Sequence, residues 1–489
     1  MTGALFLILV PLIAAVLTYF IDGRTKAARI ILILTAVFHA IMTAGVIFLP
    51  ALRSSESHWL GFDDLGLTVL AITSVLFLAV SVHTAFWIPA DRHYAHSHSH
   101  ILLFGKPVFL PAMMAFLATM SMVIASKNFG LLWVAVEATT LVSAPLICYH
   151  LSPSSLEAMW KYLLICSVGI ALALFGTIAM TVAATYANNV HGLDMEAIKN
   201  ASENLNPAWF KAAFIFMLAG YGTKMGLAPF HTWLPDAHSE APGSISALLS
   251  GALLNCSFLG IIRVLNVTPV GLQDFAHDLL ITLGMISLLV AAFFIIRQSD
   301  FKRVLAYSSV EHMGLAAILW GLGAETYALV HMCGHSIIKM SLFLLAGNIL
   351  LAYGIRTVSE VGGIFGKLPR NAVLWLMGIL LICGTPPSPL FVTEFLLVKT
   401  AGPILGSVIL LLLFAVFAGM SMVCLNMCMG THGHGHHHHH HGHALPMPPV
   451  PDALRLKTTE RLAAVPTITI MLALLGGILL TIQLIRYGG

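Results

Sequence analysis

The sequence predicts an all-α polytopic membrane protein with about fourteen transmembrane helices. Composition is the first reason: 58% of the 489 residues are hydrophobic, 9% are charged, and the mean hydropathy is +0.91. The second is that apolar runs of ~20 residues, enough to cross the hydrocarbon of a bilayer, recur from end to end. The third is that no polar block separates them that could fold by itself, so the chain reads as one membrane domain.

In chain order the apolar segments lie at 4–20, 29–49, 65–89, 103–125, 129–149, 161–186, 209–228, 243–267, 277–296, 304–322, 325–353, 371–399, 402–429 and 463–485. The stretch from Met1 to Phe20 lacks a basic start and a small-residue cleavage site, so it reads as a retained helix and not a signal peptide. Residues 1–102 carry helices one to three, residues 430–462 a His-rich loop, and residues 463–489 the last helix.

Charge sets the expected orientation. Arg24, Lys26, Arg92, Lys106, Arg297, Lys302, Arg303 and Arg356, among others, fall in odd-numbered loops; even-numbered loops hold chiefly Arg53, Lys127, Lys199 and Lys211. Positive loops stay cytoplasmic, which puts both termini on the outer side and the His-rich loop inside. The net charge of +3 argues for no nucleic-acid partner. Seven cysteines without a CxxC pair suggest neither a disulfide framework nor an iron–sulfur site. No cofactor is expected in this chain.

Two segments carry helix breakers: Lys224-Met-Gly-Leu-Ala-Pro229-Phe-His231 and Gly384-Thr-Pro-Pro-Ser-Pro389-Leu-Phe-Val-Thr-Glu394. Proline removes a helical hydrogen bond and frees a carbonyl. In lipid such backbone survives only against protein or water, and paired broken segments point to an inverted-repeat transporter. Glu137 and Glu311 are 311 − 137 = 174 residues apart, and Lys224 and Glu394 are 394 − 224 = 170 apart. The similar offsets fit two five-helix repeats, 103–267 and 277–429.

Ionisable groups inside apolar runs are expensive and mark pathways or paired contacts. Glu137, in Leu-Leu-Trp-Val-Ala-Val-Glu137-Ala-Thr-Thr-Leu, calls for a cation, and Lys224 is the candidate. Such a pair works as a switch: closed, the carboxylate holds the lysine's proton; open, the proton leaves. The alternative is a static buried salt bridge. His331, His335 and Lys339 lie at i, i+4 and i+8, one face of a helix with ~6 Å of rise between neighbours. Histidine exchanges protons near neutral pH, so this row reads as a proton wire; a metal site is the competing reading, although no local acid or cysteine completes a ligand set. Glu394 follows the second break and suits a release group on the outer side. Glu311 and His312 are either part of the path or core hydrogen-bonding groups. His231, Asp236, His238 and Glu240 follow the first break at the cytoplasmic end, as a proton intake or as a locally bonded loop. The runs His432–His443 and His93–His100 are open between loose metal binding, an inert spacer and, for the first, an inserted tag.

The stretch Leu-Ala-Gly-Tyr-Gly-Thr-Lys224-Met-Gly-Leu-Ala-Pro-Phe-His231-Thr-Trp-Leu-Pro-Asp236-Ala-His238-Ser-Glu240-Ala-Pro resembles the signature of the antiporter-like subunits of complex I, of Mrp antiporters and of group 4 membrane-bound nickel–iron hydrogenases. The segments around Glu137 and Glu311-His312 resemble most closely the F-type membrane component of hydrogenase-4. The likeness runs from about 103 to 429.

The resemblance implies fourteen helices, two inverted five-helix repeats and broken seventh and twelfth helices. It implies a proton path through an acid in helix five, a lysine in helix seven, a central lysine or histidine and a charged group in helix twelve. Those roles carry to Glu137, Lys224, Lys339 with His335, and Glu394. Several relatives have a lysine in helix eight, where this chain has Asn255, which cannot hold a proton; the relay then leans on His331 and His335. Redox centres would lie in partner subunits. The expected partners are other membrane subunits, a peripheral redox arm, the lipid bilayer and protons; the expected location is a bacterial or archaeal cytoplasmic (inner) membrane. The expected function is proton translocation in a multi-subunit oxidoreductase, a hydrogenase or formate-linked complex. The alternatives are a complex I-like quinone reductase subunit, an Mrp-type cation/proton antiporter and a proton-coupled inorganic-carbon uptake subunit.

Overall fold

The computed structural model describes residues 3–22, 25–53, 57–94, 102–103, 105–187, 190, 192–430 and 453–487. Helices longer than ten residues are α1 (Gly3–Ile21), α2 (Lys26–Phe48), α3 (Asp64–Tyr94), α4 (Phe109–Ala125), α5 (Phe129–Ile147), α6 (Pro153–Thr185), α7 (Pro207–Met225), α8 (Gly243–Leu265), α9 (Gln273–Ile296), α10 (Phe301–Gly321), α11 (Glu325–Tyr353), α12 (Pro369–Ile382), α13 (Pro389–Met429) and α14 (Ala464–Tyr487). Among the described residues, ten helical runs are long and apolar enough to cross a membrane, and α4 and α12 are shorter apolar helices. This is a multi-pass helical membrane protein.

Burial separates the helices into layers. α1, α2, α13 and α14 turn large apolar side chains outward, among them Phe20, Phe48, Phe414 and Ile485, as suits lipid contact. α8 is buried along its whole apolar length and α11 along most of it, so these two form the centre. The polar residues of the chain gather there because only the interior supplies partners for them. α8 contains a π turn, Leu249–Leu253. Such turns recur at functional sites.

The two breaks are present. α7 ends at Gly226, which takes a left-handed φ of 82° that a side chain disfavours, and the chain turns before the short helix Trp233–Glu240. Protein groups satisfy the freed backbone: Trp233 Nε1 donates to the Thr223 carbonyl at 2.8 Å, and the Ala228 N–H donates to Ser287 Oγ of α9 at 2.8 Å. At the second break Gly384 has φ 66°, and the Ser388 hydroxyl donates to the Leu381 carbonyl at 2.6 Å while accepting from the Leu390 N–H.

Two expected boundaries need correction. The segment expected from 103 opens as a two-residue hairpin, Leu102–Leu103 with Lys106–Pro107, because Gly105 and Pro107 favour a turn; helix starts only at Phe109. The segments expected at 371–399 and 402–429 meet where expected, at the non-helical Gly402. α12 is the first half of the broken segment, and α13 runs through both its second half and the next segment, bending at Gly402 (φ 78°). Pro403 then stands in the first turn of the next helical stretch, where a missing N–H costs little. The expected loop 430–462 ends in a helix, Ala453–Leu462. The run 431–443 and His96–His100 lie outside the described residues.

Candidate functional site

The first cluster forms where α5, α6 and α7 meet. Lys224, in the last turn of α7, is fully buried. Its Nζ donates to Thr140 Oγ1 of α5 at 2.8 Å and to the Tyr162 hydroxyl of α6 at 2.5 Å. The ammonium lies 4.4 Å from the Tyr162 ring centre and 6.0 Å from that of Trp233, close enough for cation–π attraction. Tyr162 OH and Ser143 Oγ share a 2.6 Å hydrogen bond. Glu137 lies one turn before Thr140 on α5. Its Oε1 accepts from Ser167 Oγ of α6 at 2.8 Å, and its Oε2 is buried without a partner.

Glu137 and Lys224 are expected in direct or one-water contact; the direct ion pair is absent, since no N···O distance within 4.0 Å joins them. Thr140 and Tyr162 take up the ammonium instead. They keep it among neutral acceptors while the carboxylate binds a separate hydroxyl.

The second cluster forms around α10 and α11. His331, His335 and Lys339 are all fully buried, as are Glu311 and His312 on α10 to within a few per cent. His312 Nδ1 and His331 Nε2 are 3.1 Å apart, and His331 Nδ1 and Thr393 Oγ1 of α13 are 2.8 Å apart. The His312 ring is 5.3 Å from that of His335. Lys339 Nζ donates to the Leu305 carbonyl at 2.5 Å and lies 5.9 Å from the Phe343 ring centre. Glu394 follows Thr393 directly. Its Oε1 is buried without a partner, and its carboxylate packs against Gly384 in the second break. His335 has no hydrogen bond at either ring nitrogen, and neither has Glu311 Oε2. Buried polar atoms are normally bonded, so these atoms stand out from the rest of the interior.

Asn255 of α8 lies between the clusters, just past the π turn. Its amide donates to Ser336 Oγ of α11 at 2.7 Å and to the Gly251 carbonyl at 2.8 Å, leaving Oδ1 without a partner.

At the end expected to be cytoplasmic, Asp236 accepts from Lys161 at 3.1 Å and from Arg303, and Glu240 from Arg356 at 2.7 Å. These two acids are tied into an ion-pair network. The two histidines beside them are not: His231 Nδ1 and both nitrogens of His238 have no partner.

The structure thus gathers Glu311, His312, His331, His335, Lys339 and Glu394 in one cluster and His231 and His238 at its foot, with Glu137 and Lys224 in another. Sequence reasoning missed Tyr162, Thr140 and Ser167, whose hydroxyls hold Lys224 and Glu137. It also left Lys302 as a loop cation. Asp300 caps α10 by accepting from the Lys302 and Arg303 N–H groups, which draws Lys302 into the helix, fully buried. An Asp two residues before the lysine was the available signal. Among the described residues no three His, Cys, Asp or Glu side chains converge as a metal site.

Residues 126–422 match the family model described as NADH:quinone oxidoreductase/Mrp antiporter, transmembrane. The chain belongs to that family. It is 32% identical over 407 residues to the hydrogenase-4 component F homolog of Methylacidiphilum infernorum, covering 82% of this chain and 83% of the relative. It is 26% identical to hydrogenase-4 component B of Escherichia coli over 79% of this chain and 58% of that one. Among solved structures, a chain of the archaeal membrane-bound sulfane sulfur reductase shares the fold with a TM-score of 0.81 at 18% identity, over 98% of this chain and 94% of its own length. A chain of the Mrp complex from Dietzia sp. does so with a TM-score of 0.81 at 19% identity, covering 98% of this chain and 96% of its own length. The protein is an antiporter-like membrane subunit of the family to which complex I-like, Mrp and hydrogenase-4 proteins belong.

Proposed function

We propose that this antiporter-like protein is the proton-translocating subunit of a multi-subunit membrane oxidoreductase, of the group 4 hydrogenase or formate-linked kind. One observation carries the reading: His312, His331 and Thr393 form a continuous hydrogen-bonded run across α10, α11 and α13, with Lys339 and His335 before it and Glu394 after it. A row of bonded imidazoles deep in an apolar bundle is costly as scaffolding and useful as a proton conductor.

In this reading His231 and His238 take up protons from the cytoplasm. Lys339, with Glu311 beside it, stores one, and His335, His312 and His331 pass it to Glu394, which releases it outward. Lys224 and Glu137 gate the first half through Tyr162, Thr140 and Ser167. Asn255 and Ser336 connect the halves by hydrogen bonds without holding a proton themselves. The ten apolar runs, with α4, α7, α10 and α12, correspond to fourteen crossings when α13 is divided at Gly402 and its first half is joined to α12 as one broken crossing, arranged as two inverted repeats. The redox centres belong to a peripheral arm, other membrane subunits flank this one, and the complex occupies the inner membrane of a bacterium or archaeon with both termini outside. The relatives named for hydrogenase-4 favour this setting over an Mrp antiporter, a complex I-like quinone reductase or a carbon-uptake subunit.

The test is proton uptake in membrane vesicles holding the assembled complex. Glu137→Gln, Lys224→Ala and His331→Ala should each stop uptake with assembly intact, and the Glu137/Lys224 double variant should be little worse than either single. Normal uptake in His331→Ala would end the reading.

A further inference from the structure

Lys302 is a buried base for which the path above has no use. It is fully buried in the first turn of α10, and no carboxylate lies within 4.0 Å of its Nζ among the described residues. Its Nζ donates only to the Ser239 carbonyl at 3.1 Å and to the Ala241 carbonyl. A lysine at a helix start opposes the dipole of its own helix, and a buried ammonium without a carboxylate is expensive, so the two carbonyls at the end of the Trp233–Glu240 helix are its structural return.

Ser239 immediately follows His238, so the Lys302 ammonium reaches the backbone beside that histidine. The His238 ring is fully buried, bonded at neither nitrogen, and stacked on Phe343 with ring centres 4.9 Å apart at 14°. Lys339 Nζ lies 5.9 Å from the centre of the same Phe343 ring. Lys339 in turn donates to the Leu305 carbonyl, which is one helical turn, ~4.5 Å of rise, beyond Lys302 on α10. Three buried bases therefore follow one another inward, and the middle one has a free donor and a free acceptor.

The alternative is that Lys302 only caps the Trp233–Glu240 helix. That helix end already has a donor: Arg356 Nη1 reaches the Ser239 carbonyl at 2.8 Å. The Ala241 carbonyl has, besides Lys302, only the Ser246 hydroxyl at 3.5 Å, so the cap is separated from a proton role by a substitution that keeps the charge.

We propose that Lys302 is the proton-loading group of the second half, passing each proton from the cytoplasmic side to His238 and so to Lys339. The lysine gives its proton to the free imidazole nitrogen, the imidazole gives one from its other nitrogen to Lys339, and the neutral lysine is reprotonated from the cytoplasm. The inference rests on the proposed role of Lys339 as the store.

The experiment compares Lys302→Arg, Lys302→Gln and Lys339→Gln by proton uptake in vesicles containing the assembled complex, with assembly read by co-purification of the partner subunits. Arginine keeps the charge and the donors that a cap requires but never releases its proton. Both Lys302 variants should lose about tenfold or more in rate, the scale of a lost proton-transfer group, while still assembling. Glutamine covers the case in which arginine does not fit. Wild-type uptake in either assembled Lys302 variant, with Lys339→Gln inactive, overturns the loading role and leaves the path intact. Wild-type uptake in Lys339→Gln overturns the path itself and the loading role with it.

Discussion

Lys224 rests on the phenol of Tyr162, with Nζ 2.5 Å from the hydroxyl and 4.4 Å from the ring centre. The acid proposed to gate it bonds a different hydroxyl, that of Ser167, and not the lysine. Tyr162→Phe keeps the ring and removes one of two acceptors from a buried ammonium. A hydrogen bond to a charged group contributes about 1.5–3 kcal/mol, so uptake should fall by about tenfold or more while the complex assembles normally. Thr140→Val should act in the same direction. A wild-type rate in Tyr162→Phe would detach the phenol from the gate.

Orientation gives a second prediction. Odd-numbered loops hold most of the lysine and arginine, so the end carrying Arg297, Lys302, Arg303 and Arg356 should face the cytoplasm. Reporter fusions after residue 489 should read as outside, and fusions within 431–443 as inside. A cytoplasmic C-terminus would invert the whole path, making Glu394 an intake and His238 an exit.

At the opposite end, Asp63 pairs with Arg263 of α8, joining the loop before α3 to the central helix. Burial pushes the Asp63 carboxyl up, but the Arg263 guanidinium and the Gly66 N–H outweigh it and hold the group below its ordinary value of 3.8. The sign follows from that. The pair's contribution is complete above the ordinary value and is lost as pH falls through the depressed one. Asp63→Asn should therefore lower the melting temperature in detergent at neutral pH, and the gap to the parent should close in acid below 3.8. A gap that persists unchanged in acid would mean that the asparagine harms the loop for another reason.

Local chemistry explains what was legible in the sequence. Both breaks could be read because glycine and proline restrict the backbone wherever they stand, and the His331–His335–Lys339 row because helical spacing alone puts it on one face. The hydroxyls around Lys224 were not legible. Tyr162 is 62 residues away in the chain, and nothing in its own segment distinguishes it from a core aromatic. The direct Glu137–Lys224 ion pair is missing for a related reason: opposite charges suggest contact, but Ser167 of α6 binds the carboxylate while Thr140 and Tyr162 bind the ammonium. Lys302 was misread as a loop cation because its position turns on one cap, Asp300. The division between the segments ending at 399 and starting at 402 was legible for the same reason as the breaks: Gly402 leaves the helical region with φ 78°.

The last prediction concerns the outer end of the path. Gly384 has φ 66°, and a Cβ there would fall well inside contact distance of the Glu394 carboxylate. Alanine is thus opposed twice, by the left-handed backbone at roughly 1–2 kcal/mol and by the carboxylate, which must swing out of its niche. Gly323 separates the two effects: its φ is 79°, but nothing lies within 4 Å of the added carbon. Gly323→Ala should carry only the backbone cost and keep normal proton uptake. Gly384→Ala should lose uptake, and adding Glu394→Asp should restore part of it, since the shorter acid withdraws from the new methyl. Uptake in the same vesicles decides the matter. Equal losses in both alanine variants would reduce the effect to backbone strain, and no loss in Gly384→Ala would mean that the position of Glu394 is not what limits release.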